Sequence, residues 1–404
     1  MDLINYLKNN LITDNTKDLT SSKIFLKTAQ NSKYAKGVKN YITPKELLNK
    51  LNLKTKFIGI TGTNGKTTTA FVLSFLLNRL GFSVATQGTE GFFVNGEKKE
   101  DKTITTPPIF TTIKRAYKFK PDFFVMEVSS HAIAQNRIEG IDFFAKAFTS
   151  FSQDHLDFHK SLDEYRKVKE SFLQDESIKV VAGKRKGGYV EIGGVDFSFN
   201  PKNLYVIEKP LIENINMAGE FNRFNFSIAI KLAELISNNN LEGIINFAKE
   251  FEGVSGRMEI VSKNPFIIVD FAHTPDGIEK VLSSVNGEKI VVFGAGGNRD
   301  KDKRKKMGEV ASKYADFIII TNDNPRCEEP IEIAKEIASG VNKPYDIILD
   351  RKEAIKKGIK MAKDKNFSLF VLGKGDEKYI EFCNKKEEFS DKEVIKSLLK
   401  VENE

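Results

Sequence analysis

Cysteine is nearly absent from this 404-residue chain. Cys327 and Cys383 are the two that occur, and neither stands in a metal-ligand spacing. A thiolate metal module is therefore excluded, and a reducing, cytoplasmic compartment is expected. Long apolar runs are missing too. None approaches the length of a membrane span, so no membrane insertion is expected. Met1-Asp2-Leu3-Ile4-Asn5 has neither a basic n-region nor an apolar h-region, which speaks against a signal peptide. Internal repeats and low-complexity tracts are absent as well. Lysine, by contrast, is abundant and brings the net charge to +8. That sign suits anionic ligands, although much of it reads as solvated surface. Residues 301–306, Lys-Asp-Lys-Arg-Lys-Lys, read as the exposed first turn of a helix. Neither interleaved aromatics nor a nucleic-acid module accompanies them, so nucleic acid is not an expected partner.

The length calls for two or three domains. Residues 1–53 are short and weakly patterned, too few for a large core. Over residues 54–253, apolar strand-like runs (57–60, 122–128, 145–149) alternate with helical segments, the pattern of an α/β domain with a mostly parallel sheet. The small residues around Gly253 and Gly256 mark a boundary, and the alternation then restarts. Candidate strands at 266–271, 289–293, 316–321, 345–349 and 368–372, separated by helices such as 331–339 and 352–363, predict a doubly wound, Rossmann-like domain over 254–404. Its glycines at 294–297 do not make a G-x-G-x-x-G site, because Arg299 occupies the last glycine position.

The densest chemical signal is Thr-Gly-Thr-Asn-Gly-Lys-Thr-Thr-Thr at 61–69, between the strand-like run 57–60 and the apolar helix-like run 70–77. Small residues let backbone N–H groups wrap a phosphate, and the helix N-terminus adds positive potential. Lys66 is placed to neutralise phosphate charge and Thr67 to ligate Mg²⁺. Ile60 stands where the strict P-loop has glycine, so the variant is a particular one. Glu127 ends a strand and suits a metal. His155 and His159 follow another strand, and one of them suits a metal or acid–base role. Ser161-Leu162-Asp163-Glu164 reads as a capping box that starts a helix. On that helix Leu162, Tyr165, Val168 and Phe172 share an arc of about 120°, and Lys169 falls inside it. A lysine there either snorkels to solvent or needs a partner or a modification. In the last domain, polar loops follow four strands: 271–276, 296–300, 323–326 and 373–377. Arg299 and Arg326 suit carboxylates and Glu377 an ammonium, the recognition set of an amino acid.

Together these motifs resemble the Mur ligases, ATP-dependent amide-forming enzymes of peptidoglycan synthesis, and most of all the MurE type. Thr105-Thr106-Pro107, residues 126–131, 154–159, Gly219-Glu220-Phe221-Asn222-Arg223-Phe224-Asn225, Gly256-Arg257-Met258-Glu259 and 269–276 add to the match, which covers roughly residues 54–404. The resemblance implies a three-domain α/β architecture: a shortened N-terminal domain for the UDP-linked substrate, a central P-loop ATPase and a C-terminal Rossmann-like domain. It implies ATP and Mg²⁺, with Gly62, Thr63, Asn64, Gly65, Lys66, Thr67, Thr68, Asn222, Asn225, Arg257 and Asp270 at the nucleotide. It makes Lys169 a carbamylated metal ligand beside Thr67, Glu127 and His155. Ser22, Thr105, Thr106, Ser129, Gln135 and Arg137 would meet the UDP-MurNAc-dipeptide. Arg299, Asp323, Asn324, Pro325, Arg326, Gly373 and Glu377 would bind the incoming amino acid. The Asp-Asn-Pro-Arg form implies meso-diaminopimelate, whose distal carboxylate would pair with Arg326. A monomer is expected.

The chain departs from the family in three places. The first domain is short, and its uridine motif survives only as Ser21-Ser22-Lys23. Asp376 replaces a histidine, and Asn298 replaces an aspartate. The alternatives are a related ligase with another acceptor or amino acid (lysine-adding or folylpolyglutamate synthetase-like) and a nucleotide-binding module without ligase chemistry.

Overall fold

The computed structural model describes residues 7, 9, 11–101, 104–298, 301–383 and 385–401. It contains two compact units, Met1–Ile215 with Asn222–Phe251, and Asn216–Phe221 with Glu252–Glu404.

The first unit opens with a small parallel sheet of β1 (Ile12–Thr13), β2 (Ile24–Leu26) and β3 (Tyr41–Ile42). Helix α1 (Pro44–Leu51) follows. Pro44 sits in its first turn, and Thr43 and Glu46 exchange bonds in a full capping box. A small apolar cluster, including Ile24, Leu26, Leu47, Phe110 and Ile113, buries this sheet.

An eight-stranded sheet carries the P-loop. Its order is β14-β10-β9-β4-β8-β5-β6-β7. The strands are β4 (Lys56–Thr61), β5 (Val84–Gly88), β6 (Gly91–Val94), β7 (Glu97–Glu100), β8 (Phe123–Glu127), β9 (Phe143–Phe148), β10 (Ile178–Ala182) and β14 (Leu204–Ile207). The pairs from β14 to β5 are parallel, and the β5–β6 and β6–β7 pairs at one end of the sheet are antiparallel. Helices α2 (Lys66–Arg79), α3 (Ile109–Phe119), α4 (Ser130–Ala134), α5 (Leu156–His159), α6 (Leu162–Ser171), α7 (Glu220–Ser237) and α8 (Leu241–Lys249) complete the unit. A separate antiparallel trio, β11 (Lys184–Lys186), β12 (Tyr189–Ile192) and β13 (Val195–Phe197), lies between β10 and β14 in sequence. These short antiparallel pieces escape the reading of alternating strands and helices.

The second unit is a six-stranded sheet ordered β15-β16-β20-β17-β18-β19. Strand β15 (Glu259–Lys263) is the antiparallel edge. Strands β16 (Phe266–Asp270), β17 (Lys289–Phe293), β18 (Phe317–Ile320), β19 (Tyr345–Ile347) and β20 (Ser368–Leu372) are parallel. They coincide with the five predicted strands to within two residues at each end. Because β20 returns between β16 and β17, the strand order changes there, and the loops leaving the carboxyl ends open around that switch point. Helices α9 (Pro275–Ser283), α10 (Asp302–Tyr314), α11 (Pro330–Ala338), α12 (Arg351–Lys365) and α13 (Asp391–Val401) accompany the sheet, with a hairpin of β21 (Tyr379–Phe382) and β22 (Lys385–Glu388).

Two expectations need correction. Residues 301–306 are not a wholly solvated helical turn, because Arg304 is completely buried. The two cysteines are joined as a disulfide, with Cα atoms 4.3 Å apart, rather than standing as separate thiols.

The second unit is tied together by a fully buried ion pair. Arg351, at the start of α12, holds both oxygens of Asp391, at the start of α13, at 2.7 Å. The same guanidinium donates to the carbonyls of Asn322 and Leu372, at the ends of β18 and β20. Removing one partner strands the other charge without water. Asp391→Ala is expected to cost about 3–5 kcal/mol in denaturant unfolding, and Arg351→Met with Asp391→Leu to recover part of that loss.

Candidate active site

In the first unit, β4 delivers the chain into the turn 62–65, and α2 begins at Lys66. Gly65 caps that helix with φ +88, and a side chain there would collide with Asn225. Asn225 donates to Asn222 Oδ1 at 3.1 Å, and both are buried. Asn225, expected with Asn222 at the nucleotide, thus lies against Gly65 of the turn. Lys66 Nζ folds back onto the Gly62 and Thr63 carbonyls, each at 2.8 Å. Asn64 N–H donates to Ser150 Oγ at 3.0 Å, and Thr68 is buried.

Glu127 ends β8 beside the P-loop strand, with Ile60 as its partner in the ladder. It is 1% exposed. Its carboxylate accepts from Thr67 Oγ1 (3.0 Å), Thr89 N (3.0 Å) and Thr89 Oγ1 (3.1 Å). Among the described residues it has no ion pair. A buried carboxylate held only by neutral donors, next to a helix-start hydroxyl, suits a divalent cation.

The residues expected at the nucleotide-sugar peptide gather beside it. Thr105 and Thr89 share a hydroxyl–hydroxyl bond at 3.2 Å. Thr106 donates to the Glu127 carbonyl (3.0 Å) and accepts from Ser129 N (3.0 Å). Arg137 donates to Thr106 O (3.2 Å) and to Gln135 Oε1 (2.5 Å). Ser22 stands apart: it is exposed, and its hydroxyl bonds only that of Thr20 among the described residues.

Lys169 does not snorkel. It is 1% exposed, although Leu162, expected on the same buried arc, is exposed instead. The capping box at its helix is only half formed: Ser161 accepts from Glu164 N, without the return bond. Lys169 Nζ reaches Thr61 Oγ1 at 3.3 Å and lies over the Tyr165 ring, 5.0 Å from its centroid. Tyr165 in turn bonds Thr63 through its hydroxyl at 3.1 Å. No carboxylate lies within ion-pair distance of Lys169 among the described residues. Burial, then the nearby Lys66 charge, push its pKa well below the ordinary lysine range, and Asp154 only partly opposes them.

The histidines divide. His159 is buried and bonds Ser130 Oγ at 2.9 Å. His155 is more open, pairs with Asp154 at 3.3 Å and meets the His131 ring edge-on at 4.8 Å. His155 and Tyr165 rings are 6.2 Å apart. Among the described residues, no three His, Cys, Asp or Glu side chains are gathered as a metal cage.

In the second unit the loops after β17, β18 and β20 converge. Asn324 donates to Glu377 Oε2 (2.9 Å) and accepts from Lys374 Nζ (3.2 Å) and Glu381 N (2.9 Å). Lys374 also reaches Glu377 Oε2 at 3.0 Å and is completely buried. Gly373 has φ +108, and a side chain there would run into Asp323 Oδ2. Asn324 O, preceding Pro325, accepts from Gly297 N at 2.9 Å, and Arg326 Nη1 donates to Gly297 O at 2.7 Å. Arg299 lies outside the described residues.

Asp270 ends β16. It accepts Met258 N and Ala272 N, each at 2.7 Å. Burial raises its pKa against the opposing pull of Arg257 and these amides. Arg257 lies over the Phe271 ring at 4.7 Å. The residue expected to hold ribose thus spends part of its accepting capacity on the backbone.

Four residues fall outside the site residues expected from the sequence: Lys374, inside the 373–377 loop, and Glu381, Arg304 and Glu328, whose partners are remote in sequence. Arg304 holds Glu328 (2.9 Å) and Glu336 (2.7 Å), and Glu328 accepts Asn298 N at 2.5 Å. The Arg304 bonds hold the Glu328 pKa at about 2 instead of 4.5. Because the folded value is depressed, the stability Glu328 contributes is complete above pH 4.5 and is lost as pH falls toward about 2. Glu328→Gln is expected to lower the melting temperature at pH 7, with the gap to the parent closing as pH drops through that window.

Comparison with known proteins accounts for this pairing of sites. Residues 60–186 match the Mur ligase middle domain, and residues 256–375 match the Mur ligase glutamate ligase domain. A UDP-N-acetylmuramoyl-L-alanyl-D-glutamate–2,6-diaminopimelate ligase of Helicobacter pylori is 38% identical, over 95% of this chain and 94% of its own. That of Wolinella succinogenes is also 38% identical, over 96% of each. Such coverage leaves little room for a longer first domain in that relative. A solved structure of a ligase of the same name has a TM-score of 0.65 at 22% identity, covering 97% of this chain and 95% of its own. The Mycobacterium tuberculosis folylpolyglutamate synthase has a TM-score of 0.63 at 14% identity, over 82% of this chain and 91% of its own, and shares the fold. The chain belongs to the Mur ligase family.

Proposed function

We propose that the protein joins meso-2,6-diaminopimelate to UDP-MurNAc-L-Ala-D-Glu at the expense of ATP, as a cytoplasmic step of peptidoglycan precursor synthesis. The observation that carries this reading is the Asp323–Arg326 turn locked to Glu377 through Asn324 and Lys374. It holds a partly open guanidinium beside carboxylates at the carboxyl edge of the sheet. A diamino diacid presents the complementary charges. The names of the Helicobacter and Wolinella relatives support the same substrate.

Residues 1–53 are assigned to the nucleotide-sugar, 54–253 to ATP and 254–404 to the amino acid. Gly62, Thr63, Asn64, Gly65 and Thr68 would wrap the phosphates through backbone N–H groups, and Lys66 would leave its loop carbonyls for phosphate oxygens. Asn222 and Asn225 would keep the turn in shape. Thr67 and Glu127 would hold Mg²⁺, which neutralises phosphate charge when bound. An oxygen of the D-glutamate γ-carboxylate attacks the γ-phosphorus, and the bond to the β-phosphate oxygen breaks, giving an acyl phosphate and ADP. The neutral amine of diaminopimelate then attacks the acyl carbon, the C–O bond to phosphate breaks, and the amine gives up a proton. Thr105, Thr106, Ser129, Gln135 and Arg137 would position the acceptor so that the γ-carboxylate meets the phosphate in line.

Lys169 fits a carbamate. A sealed amine held neutral by its surroundings adds CO₂ and releases a proton, turning an unpartnered cation into a carboxylate. That group would supply the anionic ligand that the unmodified site lacks, and His155 would add a neutral nitrogen ligand.

Two measurements test the reading. Phosphate release from ATP in the presence of UDP-MurNAc-L-Ala-D-Glu is expected with meso-diaminopimelate and to be at least about 100-fold slower with L-lysine, which brings no distal carboxylate to Arg326. Equal rates would defeat the diaminopimelate reading in favour of a lysine-adding ligase. Lys169→Ala is expected to lose most activity, about 100-fold or more, and to regain part of it with added acetate or propionate. Full activity in that variant would exclude the carbamate.

A further inference from the structure

We infer that Glu381 is a specificity-determining residue of the amino-acid site: beside Arg326 it completes a pair complementary to a zwitterion, Arg326 taking the distal carboxylate and Glu381 the distal ammonium. The inference rests on the diaminopimelate reading above and deepens it.

Glu381 lies on β21, outside the loops that the sequence singled out. The strand runs along the Asp323–Arg326 turn and is pinned to it from both sides. Arg326 N donates to Glu381 O at 2.9 Å, Cys383 N donates to Arg326 O at 2.8 Å, and Glu381 N donates to Asn324 Oδ1 at 2.9 Å. The disulfide between Cys327 and Cys383 closes the same connection. Arg326 itself has φ +51, a conformation that a residue of its size adopts only when neighbours impose it. Backbone bonds, not side-chain chance, therefore set Glu381 beside Arg326.

The side chains then meet at 3.2 Å, Arg326 Nε to Glu381 Oε2, with about a quarter of each exposed. Arg326 Nη1 is spent on the Gly297 carbonyl. Among the described residues, Arg326 Nη2 and Glu381 Oε1 carry no hydrogen bond. One donor atom and one acceptor atom of this partly exposed pair are thus left for a ligand. Glu377 already shares its Oε2 with the Lys374 ammonium and the Asn324 amide, and Asp323 lies 3.8 Å from the same ammonium. The distal end of meso-diaminopimelate carries a carboxylate and an ammonium on one carbon. It can therefore satisfy Nη2 and Oε1 together. Lysine brings only the ammonium and leaves it facing the Arg326 cation. A 2-aminopimelate brings only the carboxylate, which competes with Glu381 for Arg326 and brings no ammonium to Glu381 Oε1.

The test compares kcat/KM for meso-diaminopimelate and L-2-aminopimelate in the parent and in Glu381→Gln, with KM for ATP as the check on folding. The parent is expected to prefer diaminopimelate. Glu381→Gln is expected to erode that preference about tenfold or more, through KM for diaminopimelate, with KM for ATP unchanged. An unchanged preference overturns the inference. So does an equal loss on both amino acids, since Glu381 would then merely aim Arg326. A parent inactive with diaminopimelate defeats the functional reading itself, a different result from either.

Discussion

A lysine amine sealed against a phosphate-binding strand is the constraint on which the first unit turns. Lys169 has Thr61 Oγ1 as its hydrogen-bond acceptor, and Thr61 is the last residue of β4. Holding a charged ammonium there without a counter-ion would cost roughly several kcal/mol, so the site favours the neutral amine. The aromatic floor of Tyr165 keeps water away, and Tyr165 is fixed by Thr63 of the phosphate turn. The turn, the tyrosine and the lysine therefore form one object, and moving any of them moves the others. Glu127 is the mirror case: a buried carboxylate bonded to hydroxyls and an amide, with no cation. One site is short of negative charge and the other of positive charge. A carbamate and a metal ion would correct both.

The second unit handles its charges differently. Three buried cations, Lys374, Arg351 and Arg304, reach the backbone or a carboxylate of a loop at the carboxyl edge. Lys374 braces Asn324 and Glu377. Arg351 takes the carbonyls that end β18 and β20. Arg304 reaches the Gly296 carbonyl and Glu328. Because these cations bond loop carbonyls and carboxylates, they fix loop positions from behind the site. Arg326, left partly open, is the exception, and it is the one whose backbone lies in the left-handed region. Precision at the binding group rests on rigidity one layer behind it.

Much of this was legible in the sequence. The apolar runs around 57–60, 122–128, 145–149, 266–271, 289–293, 316–321, 345–349 and 368–372 become strands because each is short, branched or aromatic, and bounded by turn chemistry. The buried face of the helix carrying Lys169 followed in part from its period: Tyr165, Lys169 and Phe172 are buried, Val168 is half-buried, and Leu162, in the first turn, is exposed. The sequence could not reveal groups whose meaning depends on remote partners. Arg304 reads as one more lysine-rich solvated residue until Glu328 and Glu336 are brought to it by another loop and helix. Glu381 reads as a hairpin carboxylate until the strand pairs with Arg326. The cysteines gave no pairing signal either, since they lie 56 residues apart and meet only because the turn and the hairpin do.

The asparagine at 298, where the resemblance expects aspartate, follows from the same electrostatics. Its φ is +52, a region asparagine tolerates better than most residues. Its side-chain oxygen accepts from Cys327 N at 3.2 Å, a bond that an aspartate would also make. The difference lies in charge. Asn298 N already donates to the Glu328 carboxylate, which Arg304 holds ionised. An aspartate at 298 would place a second anion near Glu328, with Arg304 already shared between Glu328 and Glu336. The amide keeps the hydrogen bond and the loop geometry while omitting the repulsion. The substitution is therefore compatible with an intact amino-acid site and is matched to the acidic pair that gathers around Arg304.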